Sequence, residues 1–466
     1  MKITSKLPML TLVLPLICII LFAFLLMTNY YIYYVYVLFG LILYLLTKFL
    51  GMEIIFLFFI PIFMVSLSLT GSFFLLDFYN NDGLNPLKIH PFVITWLIVF
   101  FLCLIEDLLK KRIIFDKISM LCLIVILTFF SVTFFIKGMS GISLAVHNYL
   151  GPISFFLLFY YKKNSNFNLN KINRAIGITL IFSVLIGLLG ILEYITASNI
   201  FQGFYEVNHP TWLESISRDG YRIKTIIGHP LDNAIFFLFS MIIVQMKINN
   251  TKLKYALLLL FIVDILLTGS RSVFLVAFMV ILYNERIFKV GWKTAKHYII
   301  TIVIIAIAVL VTFNTPLGST FLNRVGSADD STEARFLLID YFVNHLFSFQ
   351  MMGLGGASEN IRIIGKFNTP IILENPWIIL FFDVGYLILL YILLLILILR
   401  KIEYKLLVII FIFALSGYNS FGVKNNANYF LFYLLTYGYI LTIGKSHKNI
   451  YTILRLKGKS VTISNK

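Results

Sequence analysis

Residues 376–399 read PWIILFFDVGYLILLYILLLILIL, and Asp383 is the one charged side chain in these 24 positions. A helix of that length rises about 36 Å, which exceeds the roughly 30 Å hydrocarbon core of a bilayer. A helix also satisfies its own backbone hydrogen bonds, as lipid requires. The run therefore predicts a transmembrane helix and favours an all-α membrane protein.

Runs of the same kind recur along the whole chain. We predict fourteen transmembrane spans, near residues 7–27, 30–47, 54–76, 92–109, 118–136, 144–161, 175–195, 231–247, 254–269, 272–284, 298–313, 376–399, 405–421 and 427–443. None shows the strand-like alternation of a membrane β-barrel. The first run resembles a signal sequence without a small-residue cleavage site, so we predict a membrane anchor. The predicted architecture is one all-α polytopic membrane domain over residues 1–466.

The composition excludes a soluble protein. Of 466 residues, 60% are hydrophobic and 13% are charged, whereas a soluble domain has about 25% charged residues. The mean hydropathy is +0.94.

Cys18, Cys103 and Cys122 lie in or beside apolar runs, which argues against a disulfide framework, and no Cys or His spacing indicates a metal site. We predict no metal and no cofactor.

The charge distribution predicts the orientation, because cytoplasmic connections are rich in Lys and Arg. With both termini in the cytoplasm, 27 of the 38 basic residues fall in cytoplasmic segments, six of them in a basic tail at 444–466. Counting acidic residues as well, the cytoplasmic side carries +21 and the remainder −4. The net charge of +17 therefore reflects topology, and no nucleic-acid partner is predicted.

Two predicted outward connections, residues 196–230 and 314–375, are longer than a turn requires. Loops of this length between packed helices are usually functional or disordered. Both contain aromatic residues among the polar ones, which favours ordered caps. The second is a large outer loop between the eleventh and twelfth spans.

Arginine is enriched on the predicted outer side. Six of the 11 arginines lie there, against five of the 27 lysines. Because the guanidinium fork binds phosphate and carboxylate in a bidentate manner, an outer cavity for an anionic, phosphorylated ligand explains this bias. The alternative is that these arginines form salt bridges with the acidic residues of the loops, which are Asp219, Asp329, Asp330, Glu333 and Asp340.

The hairpin at 266–272, LLTGSRS, joins two short spans and contains Arg271. The dozen or so apolar residues after Arg271 cover only about 20 Å as a helix that starts from a cytoplasmic anchor near Arg286. Arg271 is therefore predicted to lie at membrane depth, where a charge is costly and usually functional. The alternative is a structural ion pair with Asp264, two turns earlier.

The segment at 220–230, GYRIKTIIGHP, leads directly into a span. Arg222 and Lys224 are two residues apart, so they share a face of an extended segment. His229 precedes Pro230 at the helix start, where a histidine is a candidate acid or base and, alternatively, a helix cap or packing residue.

Glu374 and Asn375 stand directly before Pro376 at the start of another span. A glutamate beside a helix N-terminus is favoured by the helix dipole alone. The functional alternative is a carboxylate at the boundary of a cavity, able to accept a proton from a sugar hydroxyl. The glycine turn at 352–357 follows no strand and lacks the Lys-Ser/Thr of a nucleotide loop.

Three features, taken in order, resemble the O-antigen polymerase and O-antigen ligase superfamily of bacterial envelope glycosyltransferases. They are Arg222 followed by Gly228-His229-Pro230, the hairpin Thr268-Gly269-Ser270-Arg271, and a long outer loop from Arg335 through Gly353-Leu354-Gly355 to Glu374-Asn375. The resemblance covers roughly residues 218–390. It implies a GT-C-like enzyme of the bacterial plasma (inner) membrane, whose donor is an oligosaccharide carried on undecaprenyl pyrophosphate at the outer leaflet.

The resemblance also implies roles for individual residues. Arg222 and Arg271 would hold the pyrophosphate leaving group without a metal, since arginine stabilises charge at the leaving oxygen. Glu374 is the candidate catalytic base for the acceptor hydroxyl, and His345 is the alternative base. The further candidates for binding pyrophosphate or sugar are Arg218, Lys224, His229, Arg335, His345 and Asn375.

One departure from the superfamily favours its polymerase branch over its ligase branch. Ligases carry a histidine where this chain has Glu374, and polymerases tolerate an acidic residue there. We therefore expect a polymerase that builds O antigen, capsule or another exopolysaccharide, with membrane lipid and a chain-length regulator as further partners. The alternatives are an O-antigen ligase and a lipid-linked oligosaccharide flippase. A flippase needs charge along a membrane path and repeated halves, and the sequence shows neither.

Overall fold

The structure is a computed structural model that describes residues 31–57, 91–110, 116–138, 142, 145–162, 168–201, 221–283, 339, 342–344, 375–417 and 427–460. Across these residues the chain forms helices and no strand. The helices are α1 (Tyr31–Leu50), α2 (Pro91–Leu109), α3 (Lys117–Lys137), α4 (Gly151–Tyr161), α5 (Leu169–Thr196), α6 (Pro230–Lys247), α7 (Thr251–Leu267), α8 (Arg271–Leu282), α9 (Pro376–Val384), α10 (Ile388–Leu399), α11 (Lys405–Leu415) and α12 (Ala427–Ser460).

Among the residues that the structure describes, four stretches are long and apolar enough to cross a membrane: α3, α5, α6 and the continuous run α9–α10. The predicted class, an all-α membrane protein, is therefore confirmed. Helices occupy eleven of the fourteen predicted apolar runs. The runs at 7–27 and 298–313, and all but the first four residues of 54–76, lie outside the described residues.

Polar side chains placed just before the helices explain where several of them begin. Asp116 accepts a hydrogen bond from the Ser119 backbone N–H at 3.1 Å at the start of α3. Asn168 and Asn250 cap α5 and α7 in the same way. Such side chains satisfy backbone donors that have no partner inside the first turn.

The centre of the bundle is formed by α4, α6 and the first half of α12. Every residue of α4 is buried, as is nearly all of α6. Phe155 of α4 stacks on Tyr433 of α12 with ring centroids 5.7 Å apart, and Phe239 of α6 lies 5.0 Å from Phe430. Dense aromatic packing of this kind makes these helices the scaffold on which the peripheral ones rest.

Helix α5 shows why the peripheral helices suit a membrane. Its outward stripe is exposed and purely aliphatic: Ile178, Ile181, Leu185, Leu188, Leu192 and Ile195. The opposite stripe is small or polar, with Thr179, Ser183, Gly187 and Gly190 buried against the neighbouring helices. An apolar stripe facing outward matches a lipid environment, and the small stripe lets helix backbones approach closely.

Three lysines make polar contacts at one end of the bundle. There, Lys162 forms an ion pair with Asp107 at 2.8 Å, Lys171 donates to the Leu50 carbonyl, and Lys247 donates to the carbonyl of Asn173. These contacts bring together the C-termini of α1, α2, α4 and α6 and the N-terminus of α5. We call this the basic end. The candidate site lies at the other end.

Candidate functional site

The turn between α7 and α8 is the centre of the candidate site. The Thr268 hydroxyl donates to the Ile265 carbonyl at 2.6 Å and accepts from the Ser270 N–H at 3.3 Å. Gly269 has φ +68°, a left-handed conformation that glycine adopts without steric cost. The turn therefore reverses the chain within three residues and presents Arg271 as the first residue of α8.

The segment before α6 lies against this turn. The Ile223 N–H donates to the Leu267 carbonyl at 3.2 Å. The Arg222 Nε donates to the Thr268 carbonyl at 2.6 Å. A β-carbon at Gly269 would lie 3.2 Å from that Nε, so glycine also makes room for the arginine. Two predicted site residues, Arg222 and Arg271, thus belong to one local structure.

Glu193, near the C-terminus of α5, organises the same segment from the opposite side. Its Oε1 accepts from the Tyr221 hydroxyl and from the Lys224 N–H, and its Oε2 accepts from the Thr225 N–H, each at 2.8 Å. The side chain is buried. Glu193 is not among the site residues predicted from the sequence, although it is the single acidic residue within the apolar run at 175–195.

Asn233, in the first turn of α6, fixes the other side of the segment. The Thr225 hydroxyl donates to its Oδ1 at 2.6 Å. Its Nδ2 donates to the carbonyls of His229, at 3.1 Å, and of Lys224. Thr225 has φ +46°, which is unfavourable for a β-branched residue. This strained backbone is therefore stabilised by hydrogen bonds from two helices.

His229 caps α6, as one of its predicted alternatives states. Its Nδ1 accepts a hydrogen bond from the Leu231 N–H at 3.3 Å. An acceptor nitrogen carries no proton, so the neutral ring has its proton on Nε2. The histidine is half-buried, at the same end of the bundle as Arg222.

Asp264 is not the partner of Arg271, so that alternative is wrong. Asp264 is fully buried in α7, and neither of its carboxylate oxygens has a hydrogen-bond partner among the described residues. It faces α5 instead, where a β-carbon at Gly187 would overlap its Oδ2. The predicted short helix after Arg271 is confirmed, because α8 has 12 residues.

The N-terminus of α9 is linked to this end of the bundle by contacts with the residues that follow α11. Asn375 caps α9 by accepting from the N–H groups of Trp377 and Ile378 at 3.0 and 3.2 Å. The Trp377 Nε1 donates to the Ser416 hydroxyl at 3.0 Å. The next residue, Gly417, packs so closely on Ser272 that a β-carbon there would lie 2.8 Å from its hydroxyl oxygen.

Five of the predicted site residues therefore lie at one end of the bundle: Arg222, Lys224, His229, Arg271 and Asn375. Four others lie outside the described residues: Arg218, Arg335, His345 and Glu374. The residues that hold the site together, Glu193, Asn233 and Thr268, are additions from the structure.

The electrostatics of the segment favour an anionic ligand. Burial lowers the pKa of Lys224, the charge of Glu193 opposes this shift, and the charge of Arg222 adds to it. Burial and the neighbouring Glu193 raise the pKa of Tyr221, so its hydroxyl keeps its proton. A ligand with two or more negative charges would offset the repulsion between the cations.

In the part of the chain that the structure describes, no group of three or more His, Cys, Asp or Glu could hold a metal ion.

Replacement of Gly269 by alanine should weaken binding of inorganic pyrophosphate by about tenfold, because it displaces Arg222. The expected cause is the contact of the new methyl group with the guanidinium, in addition to backbone strain at φ +68°. The measurement is calorimetric titration of the purified protein with pyrophosphate.

Gly138→Ala is the matched control. Gly138 has nearly the same φ, +61°, but a β-carbon there would meet nothing within 4 Å among the described residues. It therefore reports the strain alone, and we expect unchanged affinity. Equal affinities for Gly269→Ala and Gly138→Ala would contradict the role of Gly269.

Comparison with known proteins finds no family model, no curated protein and no solved structure that matches this chain. The described geometry is a cluster of cations at one end of the bundle, held in place by hydrogen bonds to buried groups. Such a cluster can hold a phosphorylated group by charge-assisted hydrogen bonds.

Proposed function

We propose that this membrane protein is a polysaccharide polymerase, a glycosyltransferase that joins oligosaccharide repeat units carried on undecaprenyl pyrophosphate. The observation that carries the proposal is the meeting of Arg222 and Arg271 at the α7–α8 turn, with Lys224 on the same segment. Arg222 and Arg271 also belong to two of the three features that resemble the O-antigen polymerase and ligase superfamily.

A diphosphate is the ligand that this cluster fits best. Guanidinium groups stay charged in surroundings of low dielectric constant and bind phosphate oxygens through two parallel hydrogen bonds. The Arg222 side chain is oriented by its bond to the Thr268 carbonyl, and Arg271 is placed by the start of α8. Cations oriented before the ligand arrives stabilise a leaving group without rearranging during the reaction.

The chemistry we propose is transfer of the growing chain. A hydroxyl of the acceptor sugar attacks the anomeric carbon of the donor, and the bond from that carbon to the pyrophosphate oxygen breaks. Arg222 and Arg271 stabilise the negative charge on the departing undecaprenyl pyrophosphate. The hydroxyl proton goes to Glu374, the residue before the Asn375 cap, or to His345, the alternative base.

The topology belongs to the same proposal. Fourteen spans of a GT-C-like fold, with both termini in the cytoplasm, place the basic end of the described bundle inside, as the preference for Lys and Arg in cytoplasmic connections requires. The site end then faces outward across the plasma membrane of a bacterium. Arg271, at the start of a helix of 12 residues, lies below the outer membrane surface.

The test is a gel of surface polysaccharide from cells with and without the gene. We expect the deletion to remove the long-chain ladder while single repeat units stay attached to their acceptor. Loss of even the single unit, with lipid-linked repeats accumulating, would contradict the polymerase. Accumulated repeats that are accessible from outside would then indicate a ligase, and inaccessible ones a flippase.

A further inference from the structure

The contacts of Glu193 differ from those of the ion-paired acidic residues at the basic end. Asp107 at the basic end pairs with Lys162 at 2.8 Å, and Glu106 pairs with Lys48 and Lys110. Glu193 instead bonds one short segment at three points, through the Tyr221 hydroxyl and the backbone of Lys224 and Thr225. Its carboxylate therefore fixes the backbone conformation of this segment.

That backbone needs external support. Thr225 has φ +46°, a left-handed conformation that is sterically unfavourable for a β-branched residue. A buried carboxylate that accepts two neighbouring N–H groups is among the strongest hydrogen-bond acceptors available to hold it. The Asn199 side chain adds a bond to the Thr225 carbonyl at 3.1 Å from the chain that follows α5. The C-terminal end of α5 thus determines the path of the segment.

The path of the segment places its two cations. Arg222 lies between the Tyr221 and Lys224 contacts with Glu193, and its Nε is bonded to the α7–α8 turn. Lys224 provides one of the N–H groups that the carboxylate binds. A change at Glu193 therefore shifts both cations together, although Glu193 itself is buried below them.

We infer that Glu193 is a positioning residue, whose carboxylate fixes residues 221–225 so that Arg222 and Lys224 bind a diphosphate together. The inference rests on the proposed function for the identity of the ligand. It adds a buried acidic residue from a different helix to a site otherwise made of cations. Such supporting residues hold a site in its binding geometry before the ligand arrives.

The experiment uses the full-length protein in lipid nanodiscs, with inorganic pyrophosphate as the probe. Glu193→Gln should weaken pyrophosphate binding by about tenfold, the lower range for loss of a supporting hydrogen-bond partner. It should also speed hydrogen exchange at the amides of residues 224 and 225. Asp107→Asn, which changes a buried acid at the basic end, is the matched control and should alter neither quantity.

A double-mutant cycle separates positioning from general destabilisation. If Glu193 acts through the two cations, Glu193→Gln should have no further effect on affinity in a protein that also carries Arg222→Ala and Lys224→Ala. A persistent tenfold loss in that background would overturn the inference. Tyr221→Phe removes one of the three bonds, so it should weaken pyrophosphate binding and speed amide exchange by less than Glu193→Gln does. If Glu193→Gln folds poorly, Tyr221→Phe still tests the inference.

The outcomes distinguish this inference from the proposed function. If the wild type binds pyrophosphate and Glu193→Gln or Tyr221→Phe binds it equally well, the positioning role is wrong and the diphosphate site stands. If the wild type binds no pyrophosphate, the diphosphate site is wrong, and the inference falls with it. Weaker binding with faster exchange at residues 224 and 225 supports both.

Discussion

Arg271→Lys should lower polymer formation by about 100-fold while the protein still inserts and accumulates, the loss typical of removing one donor that stabilises developing charge. Lysine keeps the positive charge, so a simple electrostatic contribution would survive the change. It lacks the planar fork that binds two phosphate oxygens at once. Because residue 271 is the first residue of α8, the start of the helix fixes its backbone position, and a lysine there cannot make up for the lost fork.

The measurement is the amount of long-chain polysaccharide in cells whose own copy of the gene is deleted and replaced by the variant. Arg400→Lys is the matched control, because Arg400 is an exposed arginine at the basic end, after α10. We expect wild-type polymer from the control. Wild-type polymer from Arg271→Lys would remove Arg271 from the proposed mechanism.

Gly187→Ala should lower the free energy of unfolding by about 2 kcal/mol, the middle of the range for an overpacked interior. The added methyl group would overlap Oδ2 of Asp264, which is fully buried on α7. Helix propensity alone favours alanine by about 1 kcal/mol, so the sign of the effect comes from packing. The measurement is the midpoint of thermal unfolding in detergent.

Two further variants test the cause of that loss. Gly177 lies on the same helix, but its β-carbon would meet the tip of the flexible Lys247 side chain, so Gly177→Ala should not destabilise. Adding Asp264→Ala to Gly187→Ala should restore at least wild-type stability, since it removes the overlap and a buried carboxylate without hydrogen-bond partners among the described residues. A double variant as unstable as Gly187→Ala would show that Asp264 is not the residue displaced.

The sequence predicted well those helices that are determined by residues within them or next to them. Runs such as 376–399 exceed the thickness of a bilayer, and the structure continues α9 into α10 across that run with one 3-10 turn at Gly385–Leu387. Capping residues such as Asn375 and His229 stand next to the helices they begin. Short-range patterns of this kind depend on few neighbours, so a single sequence contains them.

The site was predictable only in part. Arginine enrichment on one side pointed to Arg222 and Arg271, and both lie at the α7–α8 turn. Glu193 was missed because its role depends on the Lys224 and Thr225 N–H groups, about thirty residues later in the chain. The pairing of Asp264 with Arg271 was a wrong alternative, because spacing along a helix does not reveal which neighbour the side chain faces.

By itself, the sequence determined that this protein is a helical membrane protein, because bilayer thickness and helix rise leave few other arrangements. The tertiary structure decided which chain segments meet. Gly187 admits Asp264 of α7 at the face of α5, Gly269 admits Arg222 at the α7–α8 turn, and Glu193 binds the segment between them. Contacts between helices depend on the fit of small residues against large ones, and that fit exists only after the helices have packed.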